Sequence, residues 1–295
     1  MQTIKFIVVP IAGLALLVAV AGATVASATK APWKIAVASD RAGNGGDVYS
    51  MNADGTDVRR LTRSPKFDGP GPWSPDGRKM LFNSNRSPKG DVWVMNTDGS
   101  GQRNLTRSPA FECCGSWSPD GRKIVFVTDR DGNNEIYSMN AGGSGQRIVS
   151  ASPSSQEIPA RLSPDGRSIA FATDRDGNWE IYVMNADGSE PRNLTRNPLS
   201  DGRDAGLLWS PDSRKIAFGT NRDRNIEIYV MNADGSGQRR LTRTPESEYL
   251  LSWSPDGRKI AFQRYPSAPR CAFFVMNADG SSVRKVTWAL PGGKG

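Results

Sequence analysis

The chain contains no histidine. That absence excludes Ser-His-Asp and Cys-His hydrolysis and every metal centre that needs an imidazole ligand. Chemistry built on Asp, Glu, Lys, Tyr or Ser stays open. Cysteine is scarce: Cys113 and Cys114 are adjacent, and Cys271 stands alone. Beyond residue 30 no stretch repeats with helical periodicity, and none is apolar enough to span a membrane. Charged residues make up 23% of the chain and hydrophobic residues 37%, as in a folded soluble domain. The net charge is +8. The Arg and Lys residues recur at fixed intervals instead of clustering. They read as solvated strand ends, and no nucleic-acid partner is expected.

The N-terminus reads as a targeting segment. Met1 to Lys5 carries one positive charge, Phe6 to Ala23 is apolar, and Ala26-Ser27-Ala28 has the small-x-small pattern of a signal peptidase site. Residues 1–28 are therefore expected to be a signal peptide and residues 29–295 the mature domain. Phe6 to Ala28 is also long enough to serve as an uncleaved anchor. Both readings predict export, to the periplasm, the cell surface or the medium. No Cys follows the apolar run, so no lipoprotein anchor is expected.

Three motifs recur in phase. Met-Asn-x-(Asp/Gly)-Gly starts at Met51, Met95, Met139, Met184, Met231 and Met276, with spacings of 44, 44, 45, 47 and 45 residues. Trp-Ser-Pro-Asp-Gly-Arg-Lys starts at Trp73, Trp117, Trp209 and Trp253; Leu162 takes the Trp position in a fifth copy, and Ser213 takes the Gly position in the Trp209 copy. Leu-Thr-Arg ends at Arg63, Arg107, Arg196 and Arg243. Each repeat resolves into short strands A to D bounded by turn chemistry. In the copy near Gly206, strand A ends at Trp209, Ser210-Pro211-Asp212-Ser213 turns, and Lys215 to Gly219 is strand B. Glu227 to Met231 is strand C, Ala233-Asp234-Gly235-Ser236 is a hairpin turn, and Arg239 to Thr242 is strand D.

A four-stranded sheet repeated six times cannot bury both faces alone, but a ring of such sheets can. The expected fold is all-β, a six-bladed β-propeller of four-stranded antiparallel blades. One aromatic per blade on strand C (Tyr49, Trp93, Tyr137, Tyr182, Tyr229, Phe274) and a large residue on strand B (Val37, Phe82, Phe126, Phe171, Phe218, Phe262) are expected to pack between blades. Blade one lacks an obvious strand A. Either Thr29 to Trp33 or the C-terminal tail is expected to supply it, since an open sheet edge is a liability.

The segments Trp-Ser-Pro-Asp-Gly-Arg-Lys-Ile-Ala-Phe, Ile-Tyr-Val-Met-Asn-Ala-Asp-Gly-Ser and Arg-Asn-Leu-Thr-Arg resemble the TolB-type, WD-repeat-like propeller family. The resemblance covers roughly residues 33 to 288. It implies the propeller part only, without the N-terminal α/β domain that the family's namesake carries. It also implies an envelope role through protein partners. Some related propellers sit in front of peptidase hydrolase domains, and no such domain follows these repeats. Fold does not fix function.

The A–B and C–D turns are nearly identical from copy to copy, whereas the D–A connections differ. Function on a rigid scaffold is usually placed on such variable loops. The candidate binding residues on the D–A/B–C face are Phe67, Asp68, Phe111, Glu112, Asp201, Asp204, Glu246, Glu248 and Tyr249, with Glu157 beside them. They are expected to be exposed and to suit an envelope or extracellular protein, or alternatively a glycan. Asp129, Asp131, Asp174 and Asp176 cluster in B–C loops and are weak Ca²⁺ candidates; Asp-Gly turns explain the same letters, so no cofactor is expected. Strand A reads as poor in acids, which argues against a paired-carboxylate carbohydrate enzyme. Cys113 and Cys114 are open to a bridge between neighbours or to free thiols, and Cys271 is too far round the ring to reach them. Asn104 and Asn193 head glycosylation sequons that the repeat consensus also explains. The chain is expected to act as a monomer.

Overall fold

The structure, a computed structural model, describes residues 19–20, 34–39, 45–52, 56–202, 206–265 and 272–286. Six four-stranded antiparallel sheets form, each in sequential strand order, and no helix occurs among the described residues. In blade three, for example, strands A to D are Glu112–Trp117, Lys123–Thr128, Glu135–Asn140 and Arg147–Ile148. The A strands of consecutive blades adjoin one another around the axis. Blade one departs from expectation. Its innermost strand is Ala19–Val20, which pairs with Ala36 and Ile35 and lies inside the N-terminal apolar run. Thr29 to Trp33 and the C-terminal tail, the two segments expected there, lie outside the described residues.

Alternation along each strand builds the seams. In blade three, Ile124 and Phe126 of strand B pack towards blade two, and Val125 and Val127 pack towards blade four. One buried cluster fills each seam from blades one and two through blades five and six. The strand B phenylalanines are fully buried. Each meets the strand C aromatic of its own blade, with ring centroids 5.5 to 5.9 Å apart in blades two to six. The expected aromatic stripes are therefore core.

The turn motifs close in the same way each time. In Ser74-Pro75-Asp76-Gly77, the Ser74 hydroxyl donates to Asp76 and accepts the Lys79 N–H, while Asp76 accepts the Arg78 N–H. In the C–D turn Asp98 accepts from both the N–H and the hydroxyl of Ser100. These letters recur because the turns need them.

Candidate functional site

The D–A/B–C face is built on buried carboxylates. The strand A acid in blades two, three, four and six is the first or second residue of a strand that starts further upstream than its apolar letters suggest: Asp68–Trp73, Glu112–Trp117, Glu157–Leu162 and Ser247–Trp253. In blade five Asp201 bridges to Thr220 just ahead of strand A. Asp68, Glu112, Glu157, Asp201 and Glu248 are at most 1% exposed. Their expected exposure is thus corrected. Each faces the end of strand B across the sheet, and an arginine emerging there closes over it.

The pairs are Arg86–Asp68 at 2.7 Å, Arg130–Glu112 at 2.5 Å, Arg222–Asp201 at 2.7 Å and Arg264–Glu248 at 2.6 Å, with Arg175–Glu157 in the same contact. Each guanidinium also lies over the strand C aromatic of its blade. The distances to the ring centroids are 4.9 Å (Trp93), 4.8 Å (Tyr137), 4.7 Å (Tyr182), 4.7 Å (Tyr229) and 4.3 Å (Phe274). An acid at or just ahead of strand A, an arginine at or just past the end of strand B and an aromatic from strand C therefore stack in every blade from two to six.

A second ring of carboxylates heads strand C: Asp47, Asp91, Glu135, Glu180 and Glu227, all at most 3% exposed. These hold the start of the D–A connection. In blade five Glu227 accepts the Thr242 hydroxyl at 2.5 Å and the Thr244 N–H at 3.1 Å, and the Thr242 oxygen accepts the Ile228 N–H at 2.9 Å. Thr62, Thr106, Ser150 and Thr195 make the same link in their blades. The Thr of Leu-Thr-Arg is thus a strut between strand C and its loop.

The two acid rings meet at the seams. The Ser150 hydroxyl lies against both Glu135 of blade three and Glu157 of blade four. One hydroxyl has one proton to donate, so the two carboxyls compete for it. Burial, with the nearby Glu135 adding to it, pushes Glu157 above the ordinary carboxylate range. Burial raises Glu180, Asp201 and Glu248 in the same way. Strand A is therefore not poor in acids, as its sequence suggested. The acids are present but sealed under the loops.

Several aromatic side chains reach the surface of this face. Phe67, Phe111, Trp179 and Tyr249 are half-buried, Glu246 is half-buried, and Leu199 and Tyr265 are 47% and 42% exposed. Tyr249 and Tyr265 meet edge to face at 5.0 Å. Asp204 lies outside the described residues.

The weak Ca²⁺ candidates all have protein partners. Asp129 accepts the Phe111 N–H and Asp174 the Gln156 N–H, both at 2.7 Å. Asp131 and Asp176 accept the hydroxyls of Tyr137 and Tyr182. Burial and those carboxylates push both tyrosines up to about 12. Among the described residues no group of three or more His, Cys, Asp or Glu is placed to hold a metal. The sequon asparagines are structural: Asn104 and Asn193 donate to Asp91 and Asp176, each at 2.8 Å. Cys113 and Cys114 form a disulfide with each other, and Cys271 lies outside the described residues. No helix among the described residues is long and apolar enough to cross a membrane.

Six sequential four-stranded blades with a loop face clamped by acid–arginine–aromatic stacks define a propeller scaffold. The chain is a six-bladed β-propeller similar in fold to TolB. The TolB beta propeller domain family matches residues 200–293. TolB from Acinetobacter baumannii superposes with a TM-score of 0.70 at 22% identity, covering 84% of this chain and 61% of that one. The putative TolB from Agrobacterium tumefaciens gives a TM-score of 0.64 at 26% identity, covering 77% and 83%. An oligogalacturonate lyase in complex with manganese shares the fold, with a TM-score of 0.65 at 15% identity over 86% of this chain and 73% of that one. A comparison with curated proteins finds no match.

Proposed function

We propose that the chain is an exported, monomeric, non-enzymatic binding scaffold that holds a protein partner of the cell envelope or extracellular space on its D–A/B–C face. The observation that carries this reading is the pairing of rigidity with apolar exposure. Phe67, Phe111 and Trp179 in the loops, and Tyr249 and Tyr265 on the strand ends of blade six, reach the surface beside buried acid–arginine pairs. Rigid, partly exposed aromatics are the residues that dominate protein interfaces. Likeness to the TolB structures supports the same reading. So does the N-terminal segment, read as an export signal. The enzymes that share the fold do not weigh against it. Residues 0 to 3% exposed, as the carboxylates of both rings are, offer no surface to a substrate, and each of the strand A acids is tied to an arginine.

The test is a cross-linked pull-down with the full chain as bait against envelope extract of its own host. The control bait carries Phe111→Ala, Tyr249→Ala and Glu246→Lys. A protein captured by the native bait and lost from the control supports the reading. Equal capture by both baits, or capture of none, overturns it.

A further inference from the structure

In a repeat protein, a residue that departs from its own repeat without helping to pack it points to a site. The departures of blades four and five converge on one cleft. It lies on the A–B/C–D face, opposite the loop face described above, at the seam between those blades. Its volume is about 360 Å³. Ser168, Asn185, Glu190, Arg167, Trp209 and Ser213 are among its lining.

Ser168 stands where the other strand B copies have Lys34, Lys79, Lys123, Lys215 and Lys259. In blades three, five and six that lysine donates to the asparagine opposite, as Lys123 to Asn140, Lys215 to Asn232 and Lys259 to Asn277 at 2.9 to 3.3 Å. In blade four the serine is too short to do so, and the Asn185 side-chain carbonyl has no protein donor among the described residues. Ser213 stands where the other turns have Gly77, Gly121, Gly166 and Gly257, and it keeps their left-handed backbone, with φ of 61°. A side chain in that conformation is strained. Its oxygen accepts the Asp165 N–H at 3.0 Å, and its own proton has no acceptor among the described residues. Glu190 holds a left-handed φ of 53°, as Asp57 and Ser282 do at the same turn position of blades one and six, where the three other turns have Gly101, Gly145 and Gly237.

The cleft floor is also different. Trp73, Trp117 and Trp253 are 7 to 9% exposed, whereas Trp209 is only half-buried. A larger cleft of about 510 Å³ lies at the seam of blades five and six. There Lys215 and Gly257 are the ordinary repeat residues and Trp253 is buried. It is the same groove carrying the ordinary repeat residues.

We infer that the cleft between blades four and five binds a neutral sugar unit of a glycan. It offers an indole face, a free amide carbonyl, two hydroxyls and the Arg167 guanidinium, which has no ion-pair partner among the described residues. Charges around it nearly cancel, with Arg167 and Arg192 against Asp165, Glu190 and Asp234. Arg192 is spent on the carbonyls of Ala233 and Asp234. A few placed polar groups around an aromatic surface in a cavity of roughly 300 Å³ or more suit a small polar ligand. Near-neutrality favours hydroxyls over a phosphate or carboxylate.

The test is an array of neutral and acidic glycans probed with the intact exported chain. Titration of maltotriose and N,N′-diacetylchitobiose, followed by tryptophan fluorescence, accompanies it. Neutral glycans are expected to bind. Two variants restore the repeat and so keep the fold: Ser168→Lys, which fills the cleft and engages Asn185, and Ser213→Gly, which removes a hydroxyl. Ser168→Lys is expected to weaken binding by about tenfold or more, some 1.4 kcal/mol. Its Tm and its capture of a protein on the opposite face stay unchanged. No neutral glycan bound, only acidic glycans bound, or equal binding by Ser168→Lys overturns the inference and leaves the protein-scaffold reading intact.

Discussion

Arg264 Nη2 lies 2.6 Å from Glu248 Oε1, and the same guanidinium lies 4.3 Å from the centre of the Phe274 ring. Glu248 is fully buried, and its second oxygen has no hydrogen-bond partner. The arginine is thus the main compensation for a charge taken out of water. Removing one partner of such a buried pair costs about 3–5 kcal/mol. Arg264→Ala is expected to lose that much in urea unfolding. Replacing both residues by Gln and Leu is expected to recover part of it. A loss under about 1 kcal/mol, the level of a surface pair, would mean that the contact is ornamental.

Stability should also fall as pH rises. Burial places Glu157, Glu180, Asp201 and Glu248 above the ordinary range, so the folded state favours their protonated forms. Their contribution is full below the unfolded value near 4 and is lost as pH climbs through the raised folded values. The turn aspartates work the other way. Serine hydroxyls hold Asp76, Asp120 and Asp212 below their usual range. Their contribution is present above about 4 and disappears in stronger acid. The melting temperature is therefore expected to peak in mild acid and to decline as pH rises further. Glu157→Gln should flatten that decline. A Tm that climbs steadily from pH 5 to 8 would contradict the assignment.

Thr242 ties strand C to its loop by one donated and one accepted hydrogen bond. Thr242→Val keeps the shape and deletes both. It leaves the Ile228 N–H and a Glu227 oxygen short of a partner, at a cost of about 1–3 kcal/mol. The expected readout is a lower urea midpoint with an unchanged slope. Thr244→Ser, one turn of loop further on, retains the N–H that Glu227 uses and should be near neutral.

The propeller was legible because its signals are local. Turn letters, strand alternation and the 44-to-47-residue period each act within one repeat. The acids were misplaced because their partners are not local. Asp68 and Arg86 are eighteen positions apart, and only the A–B pairing of Asp68 with Ser84 brings them together. A signal was present in Ser84-Asn85-Arg86, Thr128-Asp129-Arg130, Thr173-Asp174-Arg175 and Thr220-Asn221-Arg222. An arginine at one fixed place in four B–C loops implies an anion held at a fixed place opposite. The variable D–A letters obscured that anion, because Asp and Glu alternate there and one more residue of loop shifts the frame. The seam cleft was hidden for another reason: Ser168, Glu190 and Ser213 meet only when two blades are set side by side.

Two neighbouring acids on the loop face should respond oppositely to the same change. Glu246 is half-buried at the rim, and no ion pair to it occurs among the described residues. Glu248, two residues on, is at 0% exposure beneath Arg264. Glu246→Lys alters the face and is expected to move stability by less than about 0.5 kcal/mol, as surface changes do. Glu248→Lys buries a cation against the Arg264 guanidinium and is expected to unfold blade six or prevent soluble expression. Circular dichroism melts of the two variants decide the point. If both behave alike, the burial that separates the clamped acids from the binding rim is wrong. If they differ as stated, Glu246 can carry a charge reversal in a binding experiment, and a partner lost with Glu246→Lys is lost from the surface and not through collapse of the blade.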